Sequence, residues 1–143
     1  MVSKGKLHDT GRLPGIVAVD GTCRLGLLLF LHEIEEVQVV TLDVLERRHG
    51  IGRLLLDAIT SFAISHHATR VWLITTNENV GGIAFYTRCG FRLVEVRLDA
   101  ITEARRLKPQ IPEADKHGVA IRDELEFEKR LPKCGPETHE AVR

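Results

Sequence analysis

The hydrophobic period of the chain changes abruptly at one place, and that change limits the folds open to it. Val37 to Val44 reads Val-Gln-Val-Val-Thr-Leu-Asp-Val, β-branched and nearly continuous in hydrophobicity, as in a central strand covered on both faces. From Gly50 to about Ala68, apolar side chains at Ile51, Leu54, Leu55, Ala58, Ile59, Phe62 and Ala63 recur at three- and four-residue spacing instead. That spacing predicts an amphipathic helix with Arg53, Asp57 and Ser61 on its polar face. A buried strand feeding straight into a strong helix places the chain among mixed folds of helix and sheet.

The other elements follow from turn and cap signals. Gly15 to Val19 and the apolar run Leu25 to Leu31 flank Asp20-Gly21-Thr22, which predicts a hairpin. Val71 to Thr76 is another short buried strand. Asn79 is placed to cap a helix running to about Cys89. Gly90 then stands where a helix-ending residue of positive φ belongs, with Phe91 set to fold back on the last turn. Phe91 to Leu98 alternates as a strand, and Asp99 to Asp123 shows little beyond a short helix within Ala100 to Leu107, ended before Pro109. Leu125, Phe127 and Leu131 alternate with Glu124, Glu126, Glu128 and Arg130, which predicts a strand with one buried face; the row Glu124, Glu126 and Glu128 reads most simply as its solvated face, the alternative being a row that attracts a cationic amine. Strands outnumber helices and begin as a meander. The expectation is one α+β domain over residues 1–131, a mixed, mostly antiparallel sheet flanked by two main helices, with a polar tail at 132–143.

Composition narrows the function classes. At 143 residues, 43% apolar and 28% charged, the chain is an ordinary globular protein. Lys plus Arg equals Asp plus Glu at 20 each, which gives no electrostatic case for a nucleic-acid partner. Cys23, Cys89 and Cys134 are odd in number and far apart, neither a disulfide framework nor a metal pair. The seven histidines show no ligand spacing, so no metal is expected. No apolar run nears the ~18 residues of a membrane span. Met1 to Arg12 lacks the apolar core of a signal peptide. The expectation is a soluble cytoplasmic protein with no membrane partner.

The junction between the first two elements carries chemistry as well as topology. Arg47-Arg48-His49-Gly50-Ile51-Gly52 joins the buried strand to the helix. The first amides of a helix lack internal acceptors and carry the positive end of its dipole. Glycines at 50 and 52 remove the Cβ atoms that would hold a phosphate off those amides, and Arg47 and Arg48 add donors and charge. A tight strand-to-helix turn with incidental surface arginines explains the same six residues.

A second motif separates these readings. Arg47, Gly50 and Gly52, followed at a workable distance by Asn79, Phe85, Tyr86, Gly90 and Phe91, resemble the two signature segments of the GNAT acetyltransferase superfamily, with Gly82 in place of an alanine. The resemblance covers about Ile16 to Leu98. It implies N-acyl transfer from acetyl-CoA to a primary amine of a small molecule or peptide. Leu42 and Val44 would pair through their backbone with the pantetheine arm. Arg47, Arg48, His49, Gly50, Ile51, Gly52 and Arg53 would hold the diphosphate, and Asn79 would contact the arm or stabilise its own helix. Tyr86, the sole tyrosine, would be the general acid that protonates the departing thiolate and would also touch the cofactor; filling the core beside Phe85 is its structural alternative. The family's general base is often a carboxylate on or before the central strand. Glu33, Glu35, Glu36, Asp43 and His32 lie there, with Glu36 favoured by position; a solvated acidic turn explains the cluster equally. Members of the family begin with a strand and two helices that form one wall of the acceptor site, and the polar residues before Gly15 do not supply them. That wall would come from a partner in a homodimer or from the Asp99 to Asp123 loop. The alternatives are a CoA-binding module with little transfer activity and a small α/β interaction protein binding no cofactor.

Overall fold

A computed structural model describes residues 2–4, 6–7, 9–45 and 49–133 of the chain. The elements run β1 (Val2–Ser3), β2 (Lys6–Leu7), a 3-10 turn (Thr10–Arg12), β3 (Gly15–Asp20), β4 (Cys23–Glu33), β5 (Glu36–Val44), α1 (Ile51–Ser65), β6 (Arg70–Thr76), α2 (Val80–Arg88), β7 (Arg92–Arg97), α3 (Ala100–Ala104) and β8 (Glu124–Arg130). Six strands form one sheet in the order β3-β4-β5-β6-β8-β7, and β1 with β2 forms a two-stranded sheet of its own. The β3–β4, β4–β5 and β7–β8 pairings are antiparallel, so the fold is mixed α/β on a mostly antiparallel sheet. By backbone packing the chain divides into two compact units, Pro14–Trp72 with Lys129–Arg143, and Met1–Leu13 with Leu73–Glu128. Among the described residues no helix is long and apolar enough to cross a membrane.

In the first of these units, β3, β4 and β5 form a meander. Asp20 pairs with Cys23, which leaves Gly21 and Thr22 as the loop, and Gly21 takes the positive φ of 61° that so short a connection uses. The β4–β5 loop is Ile34-Glu35, and Ile34 stands at φ 42° with its side chain in solvent. A β-branched residue there is a strained outlier. The pair Leu29–Thr41 is followed by Phe30–Val39, so Val40 is an extra residue on β5, a β-bulge. Val37 to Val40 are all buried, whereas Thr41 to Val44 are partly covered or exposed.

Helix α1 buries Leu55, Leu56, Ile59 and Ala63. Leu54, expected on that stripe, is 58% exposed instead. Three consecutive leucines are spaced about 100° apart and cannot all face one sheet, and Leu56 takes the place expected of Leu54. Gly26 on β4 sets how closely α1 approaches. A Cβ on it would lie 3.0 Å from both Ile51 Cγ2 and Leu55 Cδ1, and 3.1 Å from the Asp43 carbonyl oxygen.

In the second unit, α2 ends as the sequence predicts. Gly90 has φ 93°, its N–H donates to Thr87 O at 3.1 Å, and Phe91 N–H donates to Tyr86 O at 3.0 Å. This is a Schellman motif, completed by the Phe91 and Tyr86 rings 6.2 Å apart. Residues 99–123 carry little periodicity because side chains hold their backbone. The Arg105 guanidinium donates to the carbonyls of Ile111 (3.2 Å), Pro112 (2.6 Å) and Ile121. Asn77 Oδ1 accepts from the amides of Arg122 and Asp123, both at 3.0 Å, and its Nδ2 donates to Ala120 O at 2.8 Å.

One expectation fails on β8. Glu124 and Glu126, predicted in solvent, are 2% and 3% exposed. Buried carboxylates persist only when paired, and Arg97 on β7 pairs with both, at 3.1 Å to Glu126. Burial opposes the charge on Arg97, but hydrogen bonds to Glu124 and Glu126 outweigh it and raise its pKa above the usual value. Lys4 supplies a second cation, with Nζ 3.1 Å from Glu126 Oε1.

Candidate functional site

Gly50 is the N-cap of α1, in the left-handed region at φ 72° and ψ 9°. Glycine brings no side chain, so no side-chain hydrogen bond caps the first turn. Leu54 N–H to Gly50 O, 2.9 Å, is a first-turn helical bond, and the N–H groups of Ile51 and Gly52 precede it without a helical acceptor. The turn holds no acidic residue, and among the described residues nothing beyond its chain neighbours lies within 4 Å of where a Cβ on Gly50 would stand. Open space over outward-facing amides at the positive end of a helix suits a phosphate oxygen. His49 and Arg53 flank this mouth and are exposed. Arg47 and Arg48 lie outside the described residues.

The strand leading to this mouth has a definite backbone orientation. Leu42 pairs with Leu28 and Val44 with Gly26, and Leu45 N–H donates to Leu25 O at 3.0 Å. Antiparallel pairs alternate between bonded and non-bonded, so Asp43 turns its backbone groups toward β4 as Leu45 does. Leu42 and Val44 therefore turn theirs away from β4, the orientation that adding an extended chain would use.

Asn79 and Tyr86 belong to the unit of Leu73–Glu128. Asn79 is the N-cap of α2; its Oδ1 accepts from Gly82 N–H at 3.1 Å and its Nδ2 donates to Thr75 Oγ1 at 2.8 Å. Both polar ends of the side chain are thus committed to structure. Gly82 is the residue that makes room for it: a Cβ there would stand 2.3 Å from Asn79 Nδ2. The Tyr86 ring is packed among Phe85, Phe91 and Phe127, at 5.5, 6.2 and 6.3 Å between centroids. Burial raises its phenol pKa, with a smaller contribution from Cys89, so the group keeps its proton well above neutrality.

Glu36 opens β5 and its Oε1 lies 3.2 Å from Arg70 Nη2. The Arg70 guanidinium in turn sits 5.1 Å from the centre of the Trp72 ring. Glu33, Glu35 and Glu36, with Gln38 and Trp72, border a hollow of about 330 Å³. The other weighed carboxylate, Asp43, is exposed toward the far end of β5, and the His32 ring is edge-on to Phe62 at 5.7 Å and to His66 at 5.5 Å. Among the described residues no three His, Cys, Asp or Glu side chains are grouped to hold a metal. Sequence reasoning missed Gly26 and Asn77. A glycine inside a strand is the signal that would have marked the first, since it denotes close approach of another segment.

The model of the acetyltransferase (GNAT) family matches residues 15–91. The uncharacterized protein YdhI of Bacillus subtilis (strain 168) is 38% identical over 118 residues, 82% of this chain and 74% of that protein. The crystal structure of a Bacillus subtilis acetyltransferase in complex with CoA is similar at a TM-score of 0.72 and 25% identity, over 85% of this chain and 79% of that one. A GNAT family acetyltransferase from Elizabethkingia anophelis, with acetyl-CoA bound, shares the fold at a TM-score of 0.69 and 21% identity, over 80% and 74% of the two chains.

Proposed function

Because the chain belongs to the acetyltransferase (GNAT) family, we propose that it moves an acetyl group from acetyl-CoA directly to a primary amine of a small molecule or peptide. The observation that carries the reading is the mouth of α1, where an acid-free first turn without a side-chain cap stands behind space at Gly50 that no described residue fills. Ile51 and Gly52 would give their backbone N–H groups to the diphosphate, with His49, Arg53, Arg47 and Arg48 around it. Leu42 and Val44 would pair with the pantetheine arm through backbone groups turned away from β4, and Asn79 would touch the arm from its cap. Acetyl-CoA supplies the acetyl group already activated as a thioester. Tyr86 Oη holds a proton for the departing sulfur, a role its raised pKa suits at neutral pH. Glu36 is the proposed acceptor of the amine proton.

A second reading, a CoA-binding module with little transfer, draws on one observation: the Glu36 carboxylate is already engaged by Arg70. Two measurements test these readings. Melting with acetyl-CoA at a hundred times its Kd should add about 2.7 kcal/mol of stability, and no shift at millimolar ligand refutes the cofactor. Free-thiol release should then rise with a panel of amines and fall in Tyr86→Phe; equal release from both proteins leaves only the binding module.

A further inference from the structure

We propose that Glu78 is the binding group for a primary ammonium, and that it seats a positively charged amine of the acceptor. Its role toward the acceptor rests on the acetyl-transfer reading; the ammonium site itself stands on the hydrogen bonds around Glu78.

Asn77-Glu78-Asn79 connects β6 to α2, within the unit of Leu73–Glu128. Both neighbours of Glu78 are locked. Asn77 commits its side chain to Ala120 O and to the amides of Arg122 and Asp123, and its own N–H donates to Asp123 O at 3.1 Å. Asn79 holds Thr75 Oγ1 and Gly82 N–H. The backbone of Glu78 is therefore fixed in place while its side chain takes no part in fixing it.

That side chain makes no hydrogen bond or ion pair among the described residues, and its Oε1 is buried without a donor. Donors on either side of it are committed elsewhere. Val80 N–H goes to Glu78 O at 2.9 Å, Gly82 N–H to Asn79 Oδ1 at 3.1 Å and Ile83 N–H to Asn79 O at 3.0 Å. The Nδ2 atoms of Asn77 and Asn79 go to Ala120 O and Thr75 Oγ1, both at 2.8 Å. A buried acceptor left unmet carries the full desolvation cost of its group. Such an atom in a native fold calls for a partner from outside the chain.

The surroundings admit one. Asn79, Val80 and Gly81 are exposed, and among the described residues a Cβ on Gly81 would meet nothing within 4 Å. Part of Glu78 reaches the surface beside them while Oε1 lies inward. A carboxylate offers acceptors only, so its complement is a donor, and a cationic donor makes the shorter and stronger bond. A primary alkylamine is protonated at neutral pH, as lysine is, and brings three N–H groups to two carboxylate oxygens. The exposed Val80 side chain offers apolar surface to the carbon atoms behind the nitrogen. Other acids lack this vacancy: Glu36 holds Arg70, and Asp123 holds Arg122 and the Asp99 amide.

The test is titration of the full chain with n-butylamine hydrochloride, at constant ionic strength and without acetyl-CoA, followed through backbone amide shifts. Wild type should show saturable shifts centred on residues 77–82, and Glu78→Gln should bind at least tenfold more weakly. Tetramethylammonium chloride, a cation without N–H donors, should leave those residues unmoved. In a chemical melt Glu78→Leu, which removes the unmet oxygen, should be at least as stable as wild type. If Glu78→Gln does not fold, Glu78→Leu takes its place in the titration. No saturable shift at 77–82 in wild type, equal affinity in the variant, or equal shifts with tetramethylammonium overturns the proposal. A Glu78→Leu protein less stable than wild type also overturns it, by revealing a structural partner. Failure here leaves acetyl transfer standing, and failure of the acetyl-CoA melting test leaves the ammonium site standing.

Discussion

Replacing Gly26 by alanine tests whether the mouth of α1 depends on a missing side chain. The new methyl would meet Ile51 Cγ2 and Leu55 Cδ1 at 3.0 Å and the Asp43 carbonyl oxygen at 3.1 Å. Carbon atoms pack best at about 3.5–4.0 Å, so the first turn of α1 must retreat from β4 by roughly half an ångström. Overpacking of this kind costs about 1–3 kcal/mol. The alanine also stiffens the unfolded chain, which returns about 0.4–1 kcal/mol. The net loss is about 1–2 kcal/mol. With an unfolding entropy near 2.1 cal/mol/K for each of 143 residues, Tm should fall by roughly 3–7 °C. The displaced amides of Ile51 and Gly52 should weaken acetyl-CoA as well. A tenfold weaker site at the same ligand concentration reduces the ligand-induced gain from about 2.7 to about 1.4 kcal/mol. Thermal melting with and without acetyl-CoA measures both effects. Gly81→Ala serves as control, since a Cβ there meets nothing within 4 Å among the described residues and alanine is the better helix former. If Gly26→Ala melts at or above wild type, the packing argument is wrong; if it melts lower with its ligand shift intact, the link to the helix mouth is wrong.

Three further outcomes follow from local geometry. Tyr86 is the only tyrosine, so the ultraviolet phenolate band reports it alone, and its midpoint should lie above 10.0. Because the folded value exceeds the unfolded one, the stability it contributes is complete below pH 10.0 and is lost as pH rises through the folded value; a midpoint at or below 10.0 contradicts the burial described for it. Gly50→Ala forces alanine to φ 72°, which should cost about 1–2 kcal/mol in a chemical melt and place a methyl in the open space at the mouth. An unchanged acetyl-CoA shift in that variant would show the phosphate to be elsewhere. Asn79→Ala should cost about 1 kcal/mol alone and almost nothing in a Gly82→Ala background, where the cap is already displaced; additive losses would disprove the coupling.

The parts legible in the sequence were those set by one or two neighbouring residues. Asp20-Gly21 marked the first hairpin, and Gly90-Phe91 marked the end of α2 because a positive φ and one apolar contact suffice for it. The period of α1 gave its extent, though not which of Leu54, Leu55 and Leu56 would point outward. Glu124 and Glu126 were illegible because their burial depends on Arg97 in another strand and Lys4 at the far end of the chain. The loop over 99–123 was illegible because Arg105 and Asn77 order it through single hydrogen bonds that leave no repeat. Of the candidate site, the glycines of the helix mouth announced themselves, while Gly26, which sets the distance of that mouth from the sheet, stands alone in an apolar strand.

The extra residue at Val40 divides β5 into two reading frames. Side chains of Val37 to Val39 count their faces from the hairpin at Ile34, whereas Thr41 to Val44 count theirs from the pairing with Gly26. A one-residue slip in a strand exchanges its faces and turns its backbone groups to the other edge. Deleting Val40 removes the bulge rather than slipping the register, because Thr41 stays opposite Leu29, Leu42 opposite Leu28 and Val44 opposite Gly26. The buried half can therefore change its side chains, or lose its extra residue, without disturbing the half beside the helix mouth, so long as Thr41 keeps its place opposite Leu29.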